Sequence, residues 1–393
     1  MVSQAQIAHG PRDPRRPRHK SPEMTRQKPD IKDLSTDQLI SWLAVQGEPA
    51  YRADQIRKWL YVHQIDDFNA MTTLSKALRR RLVDHFDCGR LEVAAEAHSM
   101  DGSCKYLFRL KDGKFIESVL MPETDRSTLC ISSQVGCAQG CRFCLTAKGG
   151  FSRNLSAGEI VSQVRDVIRA VPDRRLTNIV VMGMGEPLAN YENMIAAIDI
   201  ITDADSGLGI SKRRVTLSTV GMVPRLAALG RDTQINLAVS LNAADDETRS
   251  ALMPINRTYP LAALLAACRR YPLAPRRRIT FEYILMDGVN DSDADALRLS
   301  KLLHGVKAKI NLIPFNGYPG SSYRRPDDDR VASFQEILSR RHFTAVVRLS
   351  RGQDISAACG QLSANARASA SDDTVPVFTG RHGDDGEYGG AGG

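Results

Sequence analysis

The sequence predicts an α/β fold in which a partial (β/α)6 barrel follows a small N-terminal helical domain. From residue 128 onward, short apolar runs alternate with amphipathic stretches of helical period, and this alternation indicates a parallel sheet with right-handed crossovers. About six such units fit the roughly 230 residues available, which suggests a partial barrel. Before residue 90 the apolar residues recur at spacings of three and four, which is typical of amphipathic helices.

The predicted parallel sheet has seven strand candidates with helices between them. The strand candidates are 128–133, 178–183, 214–218, 234–241, 279–285, 308–314 and 344–349. Helices are predicted between them, for example at 157–170, 191–202 and 261–270. In barrels of this kind the active site lies at the carboxyl ends of the strands. Functional residues are therefore expected in the loops that follow these strands.

The rest of the chain divides into flanking regions. A Lys111-Asp112-Gly113-Lys114 turn between two short apolar runs predicts a β-hairpin ahead of the barrel. Both ends of the chain are poor in large apolar residues and are predicted to be disordered. The predicted organisation is a disordered basic arm at 1–30, a helical accessory domain at 31–95, a β-hairpin extension at 96–127, the barrel core at 128–363 and a disordered tail at 364–393.

Composition favours a polyanionic partner and a reducing compartment. The chain of 393 residues has a net charge of +8, and residues 31–360 alone hold 44 Lys and Arg against 37 Asp and Glu. A basic folded body favours nucleic acid as a partner. The sequence has no membrane-length apolar run and no signal-peptide pattern, so no membrane association is expected. The eight cysteines do not resemble a secreted disulfide framework, which indicates the cytoplasm.

Three of the eight cysteines fall within eight residues, in the spacing CxxxCxxC: Cys137, Cys141 and Cys144. Side chains this close rarely form an unstrained disulfide, so a metal centre explains them better. A structural zinc site closes its shell with four ligands, and no fourth cysteine or histidine follows nearby. A three-thiolate iron–sulfur cluster instead leaves one iron open to a ligand. The spacing resembles that of the radical S-adenosylmethionine enzymes.

Glycines and polar residues follow several predicted strands. The segment Met-Gly-Met-Gly-Glu-Pro at 182–187 places Gly185 and Glu186 after the second strand, where glycine lets the backbone approach a ligand closely. The other candidates at strand ends are Ser218, Ser240, Leu241, Asn242 and Asn316. Each alone is more often a capping or turn residue. Together they are expected to ring the mouth of one barrel.

Six segments of the chain are similar to one known family. The segments CISSQVGCAQGCRFC, MGMGEPLAN, LSTVGMVP, SLNAADDETR, NLIPFN and RGQDISAACGQL resemble the RlmN family, the radical S-adenosylmethionine RNA adenine methyltransferases. The resemblance extends from residue 31 to residue 363 and so covers nearly all of the chain that is predicted to fold.

The resemblance implies a role for each candidate residue. Cys359 would accept a methyl group, Glu117 would remove a ring proton from the RNA adduct, and Cys130 would release the product by attacking the Cys359 sulfur. The implied ligands of a [4Fe–4S] cluster are Cys137, Cys141 and Cys144. The implied contacts of S-adenosylmethionine, of which two molecules are used per turnover, are Gly185, Glu186, Ser218, Ser240, Leu241, Asn242 and Asn316.

The implied activity is methylation of carbon 2 of one adenine in 23S ribosomal RNA, protein-free or partly assembled, and of an anticodon-loop adenine in transfer RNAs. A monomer served by an electron donor such as flavodoxin or ferredoxin is expected. Two alternatives are considered. A related carbon-8 adenine methylase of the antibiotic-resistance type needs the same cysteines, whereas a non-enzymatic, zinc-bound RNA-binding protein has no need of Cys359.

Overall fold

The computed structural model describes residues 28–363, which form a mixed α/β structure. The strands are β1 (Glu92–His98), β2 (Cys104–Arg109), β3 (Phe115–Pro122), β4 (Ser127–Cys130), β5 (Gln134–Gly136), β6 (Phe151–Asn154), β7 (Leu176–Val181), β8 (Val215–Thr219), β9 (Asn236–Ser240), β10 (Ile279–Leu285), β11 (Ala308–Pro314) and β12 (Ala345–Val347). The helices are α1 (Thr36–Val45), α2 (Arg52–Arg57), α3 (Lys76–His85), α4 (Leu145–Lys148), α5 (Ala157–Ala170), α6 (Tyr191–Thr202), α7 (Val223–Asp232), α8 (Asp246–Leu252), α9 (Leu261–Arg270), α10 (Asp293–Leu302) and α11 (Asp328–Arg340). Short 3-10 helices cover Ile31–Asp33, Phe68–Ala70, Pro187–Asn190, Lys212–Arg214 and Pro254–Arg257, and a π-helical turn covers Lys58–Val62.

Within residues 28–363, ten strands form one sheet in the order β1-β2-β3-β4-β7-β8-β9-β10-β11-β12. The pairs from β1 to β4 are antiparallel, and the pairs from β4 through β7 to β12 are parallel. In this part of the chain β1 and β12 are the two edges of the sheet, so the barrel stays open. β5 and β6 pair with each other in a separate ribbon. The predicted α/β partial barrel behind a helical domain is confirmed.

The sequence locates the central elements better than the edge strands. α5, α6 and α9 span the predicted residues, and α5 starts at a capping box formed by Ser156 and Glu159. The strand candidate at 344–349 contracts to the three residues of β12, since an edge strand pairs on one side only. β1 was not predicted, because it is mostly exposed and poor in large apolar residues. Pairing with β2 is what holds it extended.

The two faces of the parallel sheet differ in chemistry. Because successive side chains in a strand point to opposite faces, alternate residues share one environment. On one face of β10, Glu282 is flanked by Ser240 of β9 and Asn311 of β11. The opposite face of β10 packs into the apolar core through Ile279, Phe281, Tyr283 and Leu285. The polar face lines the inside of the partial barrel.

Polar contacts join the N-terminal helical region to the barrel core. Asp33 Oδ1 accepts a hydrogen bond from the backbone N–H of Gly158, at the start of α5 (2.8 Å). Arg57 is buried and donates to Asp203 (3.1 Å) and to the hydroxyl of Ser206 (3.2 Å), which follow α6. The helical region is therefore anchored against α5 and the end of α6.

Two predicted regions reach beyond the described residues. The structure describes only residues 28–30 of the predicted basic arm, and the predicted tail at 364–393 lies outside it entirely. The domain boundaries stay predictions, although β1 already begins within the range assigned to the helical domain. Between residues 28 and 363, no helix combines the length and the apolar character that crossing a membrane requires.

Candidate active site

The strand-end residues predicted from the sequence meet at one edge of the parallel sheet. Cys130 is the last residue of β4, Ser218 is next to last in β8, and Ser240 is the last residue of β9. Gly185 follows β7, and Asn316 follows β11. These strands run parallel, so their carboxyl ends lie at the same edge of the sheet. The structure therefore brings these candidates to the mouth of the partial barrel.

The cysteine loop, residues 137–144, connects β5 to α4 and is held at several points. The backbone N–H of Cys137 donates to the carbonyl of Gly150 (2.9 Å). The backbone N–H of Arg142 donates to the carbonyl of Leu252 (3.0 Å). The loop packs into a satellite apolar cluster of Cys141, Phe143, Leu252, Met253, Met286 and Phe315. This packing fixes the loop through Cys141 and Phe143, whereas Ala138, Gly140 and Arg142 of the loop are exposed.

The donor set of this loop fits an iron–sulfur cluster. Burial raises the pKa of Cys137 to about 11 and also raises that of Cys141, and the neighbouring thiols add to both shifts. Metal binds thiolates, so assembly of a cluster releases these protons. Among residues 28–363, three ligand atoms within 4.8 Å of one another occur at Glu96, His98 and Cys104 and not in the cysteine loop. Three thiolates set farther apart suit the separate irons of a cluster better than a single ion.

Glu186 is buried beside the cysteine loop, and protein groups already hold its carboxylate. Oε1 accepts hydrogen bonds from the N–H of Leu188 (3.0 Å) and the hydroxyl of Thr219 (2.7 Å). Oε2 accepts one from the N–H of Val220 (2.9 Å). Burial raises the pKa of Glu186 to about 7, although these hydrogen bonds oppose the shift. A carboxylate offers about four lone-pair positions, so room for one ligand donor remains.

Three further candidates for S-adenosylmethionine binding differ in their freedom to reach a ligand. Gly185 has a φ of 101°, and a Cβ there would lie 2.5 Å from Cβ of Gln134. Only glycine therefore fits at this close approach between the loop after β7 and β5. Ser218 and Ser240 are half-buried at the ends of their strands. Their hydroxyls stay predicted ligand contacts.

The other three candidates take part in contacts within the protein. Leu241 is fully buried, and its backbone N–H donates to the carbonyl of Glu282 (2.9 Å). Asn242 is 1% exposed, and its Oδ1 accepts from the N–H of Ile284 (2.9 Å). Asn316 donates through Nδ2 to the hydroxyl of Ser350 (2.7 Å). These contacts shape the mouth of the barrel, and the roles of the three residues toward a ligand stay predictions.

Cys359 lies on the Cys359 segment, defined as residues 350–363, which follows β12 and reaches the cysteine loop. The carbonyl of Gly360 accepts a hydrogen bond from the first residue of α4 (2.7 Å). Cys359 is exposed to solvent. The surrounding protein still raises its pKa to about 11, and the charges of Glu282 and Cys144 add to the shift. The predicted methyl acceptor therefore lies next to a predicted cluster ligand.

Cys130 approaches the same point from the end of β4. Its thiol is buried, which raises its pKa, and the charge of Cys359 raises the pKa further. Cys130 pairs with Val119 of β3, the strand that also carries Glu117, so the sheet places Cys130 in the same part of the site. All eight cysteines lie among the described residues, and none of them is joined in a disulfide there.

Glu117 faces the Cys359 segment from β3. Its Oε1 lies 3.3 Å from Nζ of Lys105, and its Oε2 accepts a hydrogen bond from the N–H of Ser363 (2.8 Å). Only 4% of Glu117 is exposed. From the sequence alone it reads as an ordinary exposed strand carboxylate. The fold instead buries it against the segment that carries Cys359.

Arg249 of α8 is a buried cation that the sequence did not reveal. Its guanidinium donates to the carbonyls of Val220 (2.8 Å), Ser240 (3.2 Å) and Leu241 (3.0 Å). Burial lowers its pKa to about 10. The side chain therefore ties together the ends of β8 and β9. Arg249 closes the segment SLNAADDETR that resembles the RlmN family, but its burial and its contacts depend on the fold.

Glu282 of β10 is a second residue that the sequence analysis missed. It is buried on the inner face of the barrel, accepts a hydrogen bond from Nδ2 of Asn311 (2.9 Å) and influences the Cys359 thiol. Burial raises the pKa of Glu282 to about 7. A signal was available, since a carboxylate inside the apolar run at 279–285 is unusual.

The fold and this site together define a radical S-adenosylmethionine protein. Residues 131–299 match the family model described as the Radical SAM superfamily. Residues 29–87 match the model described as the ribosomal RNA large subunit methyltransferase N-terminal domain. As a radical S-adenosylmethionine protein, the chain uses a [4Fe–4S] cluster and S-adenosylmethionine.

Individual relatives define the family more closely. The crystal structure of a radical SAM methyltransferase from Sphaerobacter thermophilus superimposes with a TM-score of 0.81 at 48% identity, covering 86% of this chain and 99% of that chain. The dual-specificity RNA methyltransferase RlmN of Desulfosudis oleivorans is 57% identical over 339 residues, which are 86% of this chain and 91% of that protein. The protein of the same name from Geobacter sulfurreducens is 55% identical over 333 residues, which are 85% of this chain and 91% of that protein.

The chain belongs to the RlmN family of radical S-adenosylmethionine methyltransferases. This membership confirms the family and the enzyme class predicted from the sequence. It leaves no support for a non-enzymatic, zinc-bound RNA-binding protein.

Proposed function

We propose that this protein methylates carbon 2 of an adenine in 23S ribosomal RNA and of an anticodon-loop adenine in transfer RNAs, with Cys359 as the intermediate methyl carrier. Membership of the RlmN family supports the substrate class. One observation carries the mechanism: the segment that bears Cys359 packs against the cysteine loop, since a Cβ on Gly360 would lie 3.9 Å from Cα of Cys144, and the charge of Cys359 also raises the pKa of Cys130. The groups needed to load, activate and release a carbon are therefore adjacent.

The target atom explains why such a site is needed. Carbon 2 of adenine lies between two ring nitrogens, is electron-poor and does not attack a methyl sulfonium. When bound, the cluster and S-adenosylmethionine supply the radical chemistry that overcomes this low reactivity. The residues of the chain then have three tasks: to carry the carbon, to remove the ring proton and to release the product.

Cys359 carries the carbon. Its thiolate attacks the methyl carbon of one S-adenosylmethionine, so that a sulfur–carbon bond forms, the sulfonium–methyl bond breaks and S-adenosylhomocysteine leaves. The thiol proton must be lost first, because a pKa of about 11 keeps the sulfur protonated at neutral pH. The radical step uses a second molecule, which gives two S-adenosylmethionine molecules per turnover.

Glu117 and Cys130 complete the reaction. After the Cys359-borne carbon has bonded to the ring, the adduct radical loses one electron, which would return to the cluster, and Glu117 takes the proton from carbon 2, so that the electron pair of that C–H bond stays in the ring. Cys130 sulfur then attacks Cys359 sulfur, so that a disulfide forms and the sulfur–carbon bond breaks. The carbon keeps the electron pair of that bond and takes a proton to become the methyl group. A dithiol reductant restores the two thiols.

The position of the site in a barrel mouth limits the form of the RNA. A base that enters the mouth must be unstacked, which protein-free or partly assembled ribosomal RNA allows and the mature ribosome hinders. We also propose that the protein acts as a monomer with flavodoxin or ferredoxin as the electron donor. The scattered cysteines, which do not resemble a secreted disulfide framework, support the reducing cytoplasm as the place of reaction.

Anaerobic reconstitution tests this function. The holoenzyme is incubated with S-adenosylmethionine, reductant and protein-free 23S ribosomal RNA or transfer RNA, and the digested RNA is examined by nucleoside mass spectrometry. We expect 2-methyladenosine from both RNAs and none from the Cys359→Ala variant. Formation of 8-methyladenosine would assign the protein to the carbon-8 class. Formation of 5′-deoxyadenosine without a methylated base would overturn the RNA substrate.

A further inference from the structure

The Cys359 segment contacts the antiparallel part of the sheet. The residues that it contacts there lie more than 200 positions earlier in the chain. Arg351 donates to the carbonyl of Pro122 at the end of β3 (3.0 Å). The N–H of Gly352 donates to Asp101 (2.9 Å), in the turn between β1 and β2. Asp354 accepts from the hydroxyl of Ser99 in the same turn (2.6 Å). The start of the segment is thus anchored by contacts that do not involve the reacting residues.

Lys105 of β2 lies between this segment and Glu117. Its Nζ is 3.3 Å from Oε1 of Glu117 and donates to the carbonyl of Ser356 at 3.4 Å. Leu107 pairs directly with Glu117, so Lys105 is the diagonal neighbour of Glu117 on the same sheet face. Both charged side chains are largely buried, with 15% of the lysine and 6% of the carboxylate exposed.

The contacts of Glu117 bracket Cys359 in the chain. Through Lys105, one carboxylate oxygen is linked to Ser356, three residues before Cys359. The other oxygen accepts directly from the N–H of Ser363, four residues after Cys359. Ser356 adopts a φ of 52°, a backbone conformation that is uncommon outside glycine and that neighbouring contacts must maintain. The carboxylate and the methyl carrier are therefore held in a fixed relation from both sides.

We infer that Lys105 is a positioning residue for the methyl transfer. It holds the Glu117 carboxylate in a fixed position relative to the Cys359 segment. The inference rests on the proposed function, in which Glu117 takes the ring proton of an adduct attached to Cys359. An ammonium group directs the carboxylate oxygens without consuming all of their lone pairs. Lys105 itself exchanges no proton or electron in this step. Its loss is expected to misplace the base and to leave the earlier steps intact.

The alternative is that Lys105 merely helps to fasten the segment. The anchors through Arg351, Gly352 and Asp354 argue against this, because they hold the segment at a separate place. The two roles predict different patterns among the reaction steps. A fastening role lowers all steps together, whereas a positioning role lowers only the step that uses Glu117.

Three readouts on the full-length, cluster-reconstituted enzyme separate these roles. They are methylation of the Cys359 peptide by S-adenosylmethionine, formation of 5′-deoxyadenosine and formation of 2-methyladenosine. The amount of RNA bound covalently to the enzyme is measured in addition. The variants are Lys105→Met, Lys105→Arg and Glu117→Gln. Lys114→Met is the matched control, since Lys114 is an exposed lysine beside the hairpin turn.

For Lys105→Met we expect Cys359 methylation and 5′-deoxyadenosine formation near the wild-type rates. The rate of 2-methyladenosine formation should fall by between about tenfold and a hundredfold, the range for a displaced catalytic group. Covalent enzyme–RNA adduct should accumulate, as in Glu117→Gln, and Lys105→Arg should recover part of the rate. Lys114→Met should match the wild type in every readout.

Two results would overturn the inference: wild-type formation of 2-methyladenosine by Lys105→Met, or a parallel fall of all three readouts in that variant. Failure of the proposed function is seen separately. If the wild-type enzyme forms no 2-methyladenosine, or if Glu117→Gln turns over normally, the roles of the reacting residues are wrong and the inference falls with them.

Discussion

The cysteine loop and the Cys359 segment meet at the barrel mouth, but they are held there in opposite ways. The cysteine loop is packed among apolar side chains, and Cys141 is only 7% exposed. The Cys359 segment is fastened by hydrogen bonds to the antiparallel extension, and its reactive cysteine is exposed. A loop fixed by packing suits thiolates that keep one ligand throughout turnover. A reachable thiol suits a sulfur that meets a methyl donor, an RNA base and Cys130 in succession.

Removing one proposed cluster ligand from the cysteine loop should have the largest effect. In Cys141→Ser, a hard hydroxyl replaces a thiolate, so we expect loss of the cluster and of 5′-deoxyadenosine formation to background. Iron content, the visible absorption of the cluster and product analysis measure this. Cys88→Ala is the control, because Cys88 is buried in the helical region and donates to a backbone carbonyl. A Cys141→Ser enzyme that kept its cluster and activity would refute the assignment of the loop.

Removing the proposed resolving thiol, Cys130, should block the reaction at Cys359 after the carbon has been transferred to RNA. Cys130→Ala lacks the sulfur that is proposed to attack Cys359, so the enzyme should become covalently joined to RNA and stop after about one turnover. The adduct is identified on denaturing gels as a protein band of lower mobility than the free enzyme. Nuclease treatment should return this band close to the position of the free enzyme. Cys268→Ala, which removes a buried thiol of α9, should leave turnover unchanged. Multiple turnovers by Cys130→Ala would contradict the resolving role.

The buried carboxylate of Glu282 should make the free energy of unfolding depend on pH. Burial raises the pKa of Glu282 from 4.5 to about 7, so the native state binds a proton that the unfolded chain releases. This stabilisation is fully present below about pH 4.5 and is lost as the pH rises through about 7, a change of about 3 kcal/mol.

Glu282→Gln removes this dependence. Denaturant unfolding of both proteins between pH 4.5 and 8 should show that the variant gains stability relative to the wild type as the pH rises. Glu186 has a similarly raised pKa, but it is present in both proteins and cancels in the difference. The exposed Glu336 supplies the control variant Glu336→Gln. A difference between Glu282→Gln and wild type that is independent of pH would show that Glu282 titrates normally.

Weakening one anchor of the Cys359 segment should have the smallest effect. Asp354 is exposed and contacts Ser99 and the N–H of Met100, so Asp354→Asn should slow 2-methyladenosine formation by about fivefold or less. Timed nucleoside assays with limited proteolysis of the segment measure this change. A loss of a hundredfold or more would mean that this one contact holds the segment, and the description of distributed anchors would be wrong.

Short-range patterns in the sequence predicted much of the fold and drew attention to the cysteine loop. The alternation of strands and helices gave the parallel sheet, and the CxxxCxxC spacing gave the cysteine loop, because both depend on neighbours in the chain. β1 escaped prediction because pairing with β2, rather than its own residues, makes it a strand. The relation of Lys105 and Glu117 to the Cys359 segment also escaped, since it joins residues about 250 positions apart.

The most direct test of the central claim follows the methyl carbon through Cys359. The enzyme is first loaded with a trideuterated methyl group on Cys359, freed of the labelled donor and then given unlabelled S-adenosylmethionine, reductant and RNA for a single turnover. The mechanism predicts a first product that carries two of the three deuterium atoms, because one is lost in activation and a solvent proton completes the methyl group. A first product without deuterium would show that the carbon reaches adenine without passing through Cys359.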